Sequence, residues 1–334
     1  MIPPKTPRTH NAPCQAKPCC GALADSKQIA KETAAHNRRK KPRNVLFLAT
    51  DASTRSSYWY SAYMKELCIA LVSDVFYGED AKKRLVQRLH QAKNLGAQLA
   101  VLPEIACNTW SPSSTVLQDD DAEALGGPRC RMQSACAKEV GIGIVGAAIL
   151  NDSGTRYNTC LLWDAVGTLI GTYQKHHVPE EPGFWETSHY AQGIDGFPVF
   201  NFEGFTIGIQ ICSDMNRPEG SQLLAAKGAD IIVGPRSTEL ATYSKWRPVW
   251  IANALTTGCY YCSVNRPAPE DGVLIGGSSI AVAPNGEILT ESNDAITVFT
   301  VRQSTIEHSR KDYPGYLPRR SDLYAKEWKA MKDT

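Results

Sequence analysis

A glutamate, a lysine and a cysteine each end an apolar run in this chain. Glu104 follows Ala100-Val101-Leu102-Pro103, Lys175 follows Leu169-Ile170-Gly171-Thr172-Tyr173-Gln174, and Cys212 follows Ile209-Gln210-Ile211. Brought together, these three side-chain types can attack an electrophilic carbon. The carboxylate takes the thiol proton as general base. The thiolate then forms a covalent intermediate. The ammonium, helped by a backbone N–H just past the nucleophile, stabilises the oxyanion. No histidine lies within twenty residues of Cys212 on either side, so Glu104 is the expected base. The rival is a cysteine–histidine pair using His177, two residues past the lysine. A helix opening near Arg217 would add partial positive charge that favours thiolate.

Such strand ends must converge, and the rest of the chain has to make them do so. Leu85, Val86, Leu89 and Ala92 have the spacing of an amphipathic helix over 81–95, and a second helix is expected over 130–140. Strands are expected at 67–73, 98–102 and 141–150. Segments 157–163 and 168–173 predict a hairpin across Asp164-Ala165-Val166-Gly167, and 197–202 with 205–211 another across Glu203-Gly204. Helices over 217–227 and 242–256 alternate with strands at 230–233 and 259–264, and strands at 278–283 and 296–301 come after them. This alternation predicts a mixed α/β domain. Strands apolar on successive residues predict sheets covered on both faces. Sites in α/β folds gather at the carboxyl ends of the strands. No stretch of sequence repeats another.

Composition narrows the rest. The chain has 334 residues and 43% hydrophobic content, enough for a sizeable core. Residues 1–66 carry 12 Lys/Arg against 4 Asp/Glu, whereas the net charge of the whole chain is only +2. The basic excess is therefore a property of the N-terminal segment, and it does not point to nucleic acid as the partner of the body. Residues 1–66 read as an N-terminal extension, partly disordered, with prolines, the basic cluster Arg38-Arg39-Lys40-Lys41 and one short apolar run at 44–49. The opening residues lack the apolar segment of a secretory leader, and the eleven cysteines are an odd number. Both features favour free thiols and a cytoplasmic location. No apolar run is long enough to span a bilayer, so no membrane partner is expected. Cys259-Tyr260-Tyr261-Cys262 is a C-x-x-C, but positions i and i+3 of a strand face opposite ways, so no metal is expected there. Cys14, Cys19 and Cys20 fall in the extension. There is no glycine-rich phosphate loop, and no cofactor is expected.

Leu-Pro-Glu at 102–104, Tyr-Gln-Lys-His-His-Val-Pro at 173–179 and Ile-Cys-Ser-Asp-Met-Asn-Arg-Pro-Glu at 211–219 resemble, in order, the three signature blocks of the carbon–nitrogen hydrolase (nitrilase) superfamily. Val264-Asn265-Arg266, Gly276-Gly277-Ser278-Ser279, Pro284-Asn285-Gly286 and the segment 319–324 agree with it, and the hydrolase domain is assigned to 67–334. The resemblance implies a four-layer α-β-β-α sandwich and a homodimer or higher homo-oligomer. It implies Glu104 as base, Lys175 as oxyanion stabiliser, Cys212 as nucleophile and the Ser213 N–H as second oxyanion donor. A supporting glutamate is matched by Glu186, with Glu180 and Glu181 as weaker candidates. His177 is expected to lend a hydrogen bond, and Trp185, Tyr243 and Trp246 to wall the pocket.

The residues just past the nucleophile indicate the branch. Nitrile-cleaving relatives have tryptophan and glutamate there, whereas this chain has Ser213-Asp214, which is closer to amidases and N-carbamoyl hydrolases. Met215-Asn216 stand where two carboxylate-gripping arginines occur in one branch, and Arg217 comes one later. The expected substrate is thus a small linear amide or ureido compound. A nitrile hydrolase on the same three residues and a non-catalytic scaffold are the alternatives.

Overall fold

The computed structural model describes residues 65–331. Most of the expected extension over 1–66 lies outside them, with the run at 44–49, the basic cluster and Cys14, Cys19 and Cys20.

Along the chain, β1 (Glu66–Val72), α1 (Ala81–Asn94), β2 (Leu99–Val101), β3 (Ala122–Glu123), α2 (Pro128–Val140), β4 (Gly143–Asp152), β5 (Thr155–Trp163) and β6 (Leu169–Gln174) come first. A two-residue ladder of β7 (Glu180–Glu181) and β8 (Phe184–Trp185) is next. Then come β9 (Val199–Phe202), β10 (Phe205–Ile209), α3 (Pro218–Ala226), β11 (Ile231–Arg236), α4 (Tyr243–Thr257), β12 (Tyr260–Asn265), β13 (Ser279–Val282) and β14 (Ile288–Ser292). β15 (Ile296–Arg302), α5 (Gln303–Lys311) and α6 (Ser321–Ala330) complete the order.

One sheet runs β15-β1-β2-β4-β5-β6, with β3 beside β4, and the other runs β14-β13-β12-β11-β10-β9. The two share one pairing plan. β1, β2 and β4 are parallel neighbours, as are β10, β11 and β12. Each trio continues into two antiparallel strands and is flanked on its other side by one more. No sequence repeat announces this, because the plan depends on where apolar runs fall and not on which residues fill them.

Alternation along each strand sorts side chains into three layers of contact. Ile69 and Leu71 from one sheet meet Ile207, Ile209, Ile231 and Val233 from the other in a central cluster. Ala70 and Val72, one step out of phase, pack with Leu85 and Leu89 of α1 and Ala137 of α2. Ile232 and Tyr261 pack with Leu224 of α3 and Trp250 and Ala254 of α4. The result is the expected α-β-β-α sandwich, with both sheet faces covered. Ile207→Ala should cost roughly 2–5 kcal/mol of unfolding free energy in urea, because it opens a void between the sheets. A loss below about 1 kcal/mol would mean that the two sheets are not closely packed there.

The two-residue strands β3, β7 and β8 were not legible, and neither were β14, α5 and α6. β14 alternates between partial and full exposure and carries Thr290 and Glu291, so its apolar signal is weak. α5 buries only Ile306, and α6 buries no residue at all. The two cysteines of the C-x-x-C do face opposite ways: Cys262 joins the central cluster and Cys259 the helix side. No helix among the described residues is long and apolar enough to cross a membrane.

Candidate active site

The end of β6 delivers Lys175 into a fully buried position. Its Nζ donates to Glu104 Oε1 at 2.8 Å and to Glu186 Oε2 at 2.5 Å. Asn158 of β5 donates to the same Glu104 oxygen at 2.8 Å, and the Tyr190 hydroxyl donates to Glu186 Oε2 at 2.5 Å. All of these side chains are buried. Burial alone would lower the lysine, but Glu104 and Glu186 outweigh it and hold the ammonium well above its ordinary range. Glu186 moves the other way: burial, only partly countered by Lys175, pushes its carboxyl up to about 7. The Oε2 atom of Glu104 is buried and accepts no hydrogen bond. A buried acceptor left in this state is costly unless a donor arrives.

Glu104 is fixed from behind as well. Ile105 has φ 38°, a left-handed backbone that is unusual for a β-branched residue. Such strain costs on the order of 1–3 kcal/mol and persists only where neighbours enforce it. The enforcing neighbour is Arg266, fully buried just past β12. Its Nη1 donates to the carbonyls of Glu104 and Ile105 at 3.0 and 3.1 Å, and its Nη2 to that of Asn108 at 2.9 Å. Glu270 balances its charge at 2.5 Å. Asn265, the preceding residue, ties Thr238 to Gly276.

Cys212 opens a 3-10 turn, Cys212–Asn216, directly after β10. Its φ of 48° makes a sharp elbow. The thiol is buried and donates to the carbonyl of Ser237 at 3.6 Å. Burial first, then the negative charge of Glu104, push it well above the ordinary thiol range, while Lys175 pulls it down. At rest Cys212 is therefore a neutral thiol, and attack through its sulfur would require a base. Ser213 donates its hydroxyl to the carbonyl of His177. The Ser213 amide carries no backbone hydrogen bond among the described residues, as expected in the first turn of a helix.

Asp214 is the residue whose part was missed. It is fully buried, and it accepts from Tyr173 Oη at 2.8 Å, the Ile211 amide at 3.1 Å, the His177 amide at 2.8 Å and His177 Nδ1 at 2.7 Å. It thereby pins the Cys212–Asn216 turn to the segment just past Lys175. The available signal was a lone acid in the polar turn Ser213-Asp214-Met215-Asn216, two residues after the cysteine.

The other expected residues divide. Glu186 joins the cluster, whereas Glu180 and Glu181 are exposed in the β7 ladder. His177 gives its ring to Asp214, and the Cys212 thiol points to Ser237, so no hydrogen bond links the two residues. Trp185 is half-buried at the end of β8, immediately before Glu186. Arg217 is exposed at the N-cap of α3 and does not enter the buried cluster, because the turn held by Asp214 carries the chain outward. Tyr243 and Trp246 pack against the helix-side cluster, with the Tyr243 ring beside Arg236.

A protein-family model described as carbon-nitrogen hydrolase matches residues 67–310. Among curated proteins, omega-amidase NIT2 of Xenopus tropicalis is 31% identical over 256 residues, which is 74% of this chain and 91% of that protein. N-carbamoylputrescine amidase of Arabidopsis thaliana is 30% identical over 213 residues, covering 58% of this chain and 71% of that one. The crystal structure of a carbon-nitrogen hydrolase from Helicobacter pylori G27 superposes with a TM-score of 0.72 at 22% identity, covering 79% of this chain and 99% of that one.

Proposed function

The chain belongs to the carbon–nitrogen hydrolase family, and from that membership we propose that it cleaves the C–N bond of a small linear amide or N-carbamoyl compound, with Cys212 as nucleophile, Glu104 as base and Lys175 as oxyanion donor. The supporting observation is the Glu104 carboxylate: one oxygen is locked by Lys175 and Asn158, and the other is buried with no partner. That free oxygen is suited to receive the thiol proton.

The steps balance in atoms and charge. Glu104 takes the S–H proton as sulfur bonds to the carbonyl carbon. The carbonyl electrons move to oxygen, where Lys175 Nζ and the Ser213 N–H hold the negative charge. The tetrahedral adduct collapses, the C–N bond breaks, and Glu104 returns its proton to the departing nitrogen. A water then gives a proton to Glu104 and attacks the thioester. Collapse releases the acid, and the proton returns to sulfur. Glu186 and Tyr190 keep the ammonium in place throughout.

Two further parts of this proposal concern setting. The eight cysteines of the described residues are all free thiols, which suits a reducing compartment such as the cytoplasm. α6 leaves Leu323, Tyr324 and Trp328 exposed, which suits burial against a second copy in a homodimer.

The test is ammonia release from short aliphatic amides, N-carbamoyl amines, N-carbamoyl acids and nitriles. Release is expected from amides or N-carbamoyl compounds. Release from nitriles alone, or from nothing while the protein is folded, would overturn the reading.

A further inference from the structure

Glu186 and Tyr190 stand four residues apart on one turn of chain, with the Tyr190 amide donating to the Glu186 carbonyl at 3.0 Å. That spacing brings their side chains together. The Tyr190 hydroxyl donates to Glu186 Oε2 at 2.5 Å, the same oxygen that Lys175 Nζ holds at 2.5 Å. Both residues are buried. The direction of the tyrosine hydrogen bond is fixed from its other side. Asn158 donates to Glu104 Oε1 at 2.8 Å and turns the same nitrogen to the Tyr190 oxygen at 3.5 Å. An amide N–H only donates, so the tyrosine oxygen accepts from Asn158, and its single proton is left for Glu186. Burial first, then the charge of Glu186, push the phenol far above its ordinary range, so that proton stays in place.

Both side-chain partners of Glu186 are therefore donors. Two donors suit an ionised carboxylate and not a carboxylic acid. A proton on Oε2 would face two others, and a proton on Oε1 would have no acceptor, because that atom is buried without a partner. The charge count pulls the other way. Glu104 and Glu186 share one ammonium, Lys175, and all three side chains are fully buried. Cys212 faces them as a neutral thiol, and His189, on the Glu186 turn, gives its ring to the Ser114 carbonyl. Two carboxylates on one cation leave an excess negative charge, which dry surroundings disfavour. Hydrogen bonding and burial thus oppose each other at Glu186, whose carboxyl is poised at about 7.

We propose that Tyr190 is a positioning residue that keeps Glu186 ionised beside Lys175, and that turnover fails in acid when this one carboxylate takes up a proton. Once Glu186 is neutral, the ammonium is left with Glu104 alone and is no longer held from both sides. This rests on the hydrolase reading above and adds to it a residue and a pH dependence.

Tyr190→Phe tests it, because the variant keeps the buried ring and loses only the hydroxyl. Removing a donor from the charged form of a carboxyl raises its pKa. The acid limb of kcat should therefore move upward by roughly 1 pH unit, the size expected for a hydrogen bond to a charged group. The variant should be about 10-fold slower than wild type in acid, with a deficit that shrinks as the pH rises. Glu186→Gln has no carboxyl to protonate and should lack that limb. A Tyr190→Phe deficit equal at every pH would show a merely structural role and overturn the proposal, as would a limb that stays in place. A second readout needs no substrate: infrared difference spectra against pH, in which the C=O stretch of protonated Glu186 is the band missing from Glu186→Gln. Its midpoint should lie at about 7 in wild type. In Tyr190→Phe it should lie roughly 1 unit higher. A raised midpoint in a protein that hydrolyses nothing supports the part given to Tyr190 and faults the hydrolase reading alone. An unmoved midpoint overturns the proposal even where hydrolysis is confirmed.

Discussion

Cys212→Ala is expected to abolish ammonia release while leaving the fold intact. Removal of a nucleophile that acts as a unit with its base costs on the order of 10⁶-fold in kcat. Alanine can occupy the elbow, since φ 48° is already borne by a residue with a Cβ, and the lost sulfur makes only one long hydrogen bond, to Ser237. Far-UV circular dichroism and the urea midpoint should therefore stay near wild type. Mass spectrometry after brief exposure to substrate should find an acyl adduct on wild type and none on the variant. Residual turnover above about one part in a thousand, with an intact fold, would place the nucleophile elsewhere.

Glu104→Gln makes two readouts move in opposite directions. The amide oxygen of glutamine can keep the hydrogen bonds from Lys175 and Asn158, so the loop held by Arg266 should survive. Without a base, kcat should fall by roughly 10²- to 10⁴-fold. The thiol should nevertheless become more acidic. Burial is the largest cause of its raised pKa, and the Glu104 charge is the next; neutralising that charge leaves Lys175 as the stronger neighbour. The midpoint of iodoacetamide alkylation against pH should therefore shift downward in the variant. A downward shift with retained hydrolysis would mean that Glu104 only tunes the thiol. An upward shift would contradict the electrostatic account, because a carboxylate near a thiol can only disfavour the thiolate.

The legible part of this molecule tracks its apolar runs. Leu85, Leu89 and Ala92 gave α1, the apolar run at 205–211 gave β10, and polar residues that closed such runs marked Glu104, Lys175 and Cys212. The ordered signature blocks added Glu186, which spacing alone could not have picked from Glu180 and Glu181. What escaped was partnership across long sequence separations. The link between Asp214 and Tyr173 spans 41 residues, and that between Arg266 and the Glu104 carbonyl spans 162. No local period encodes either one. The same limit explains Tyr243 and Trp246: their aromatic character was visible, but which layer α4 packs against was not.

The shared pairing plan of the two sheets has a consequence for how the molecule fails. Glu104 and Lys175 hang from one sheet, and Cys212 hangs from the other. No covalent path shorter than the 36 residues between Lys175 and Cys212 joins them; the contact that matters is the apolar seam of Ile69, Leu71, Ile207 and Ile231. Hydrolysis is thus a gauge of how well that seam is closed. Any agent that loosens it by local opening should silence the protein while circular dichroism still reports full secondary structure. Inactivation would then come ahead of melting, and the interval between them would measure how tightly one half of the sandwich grips the other.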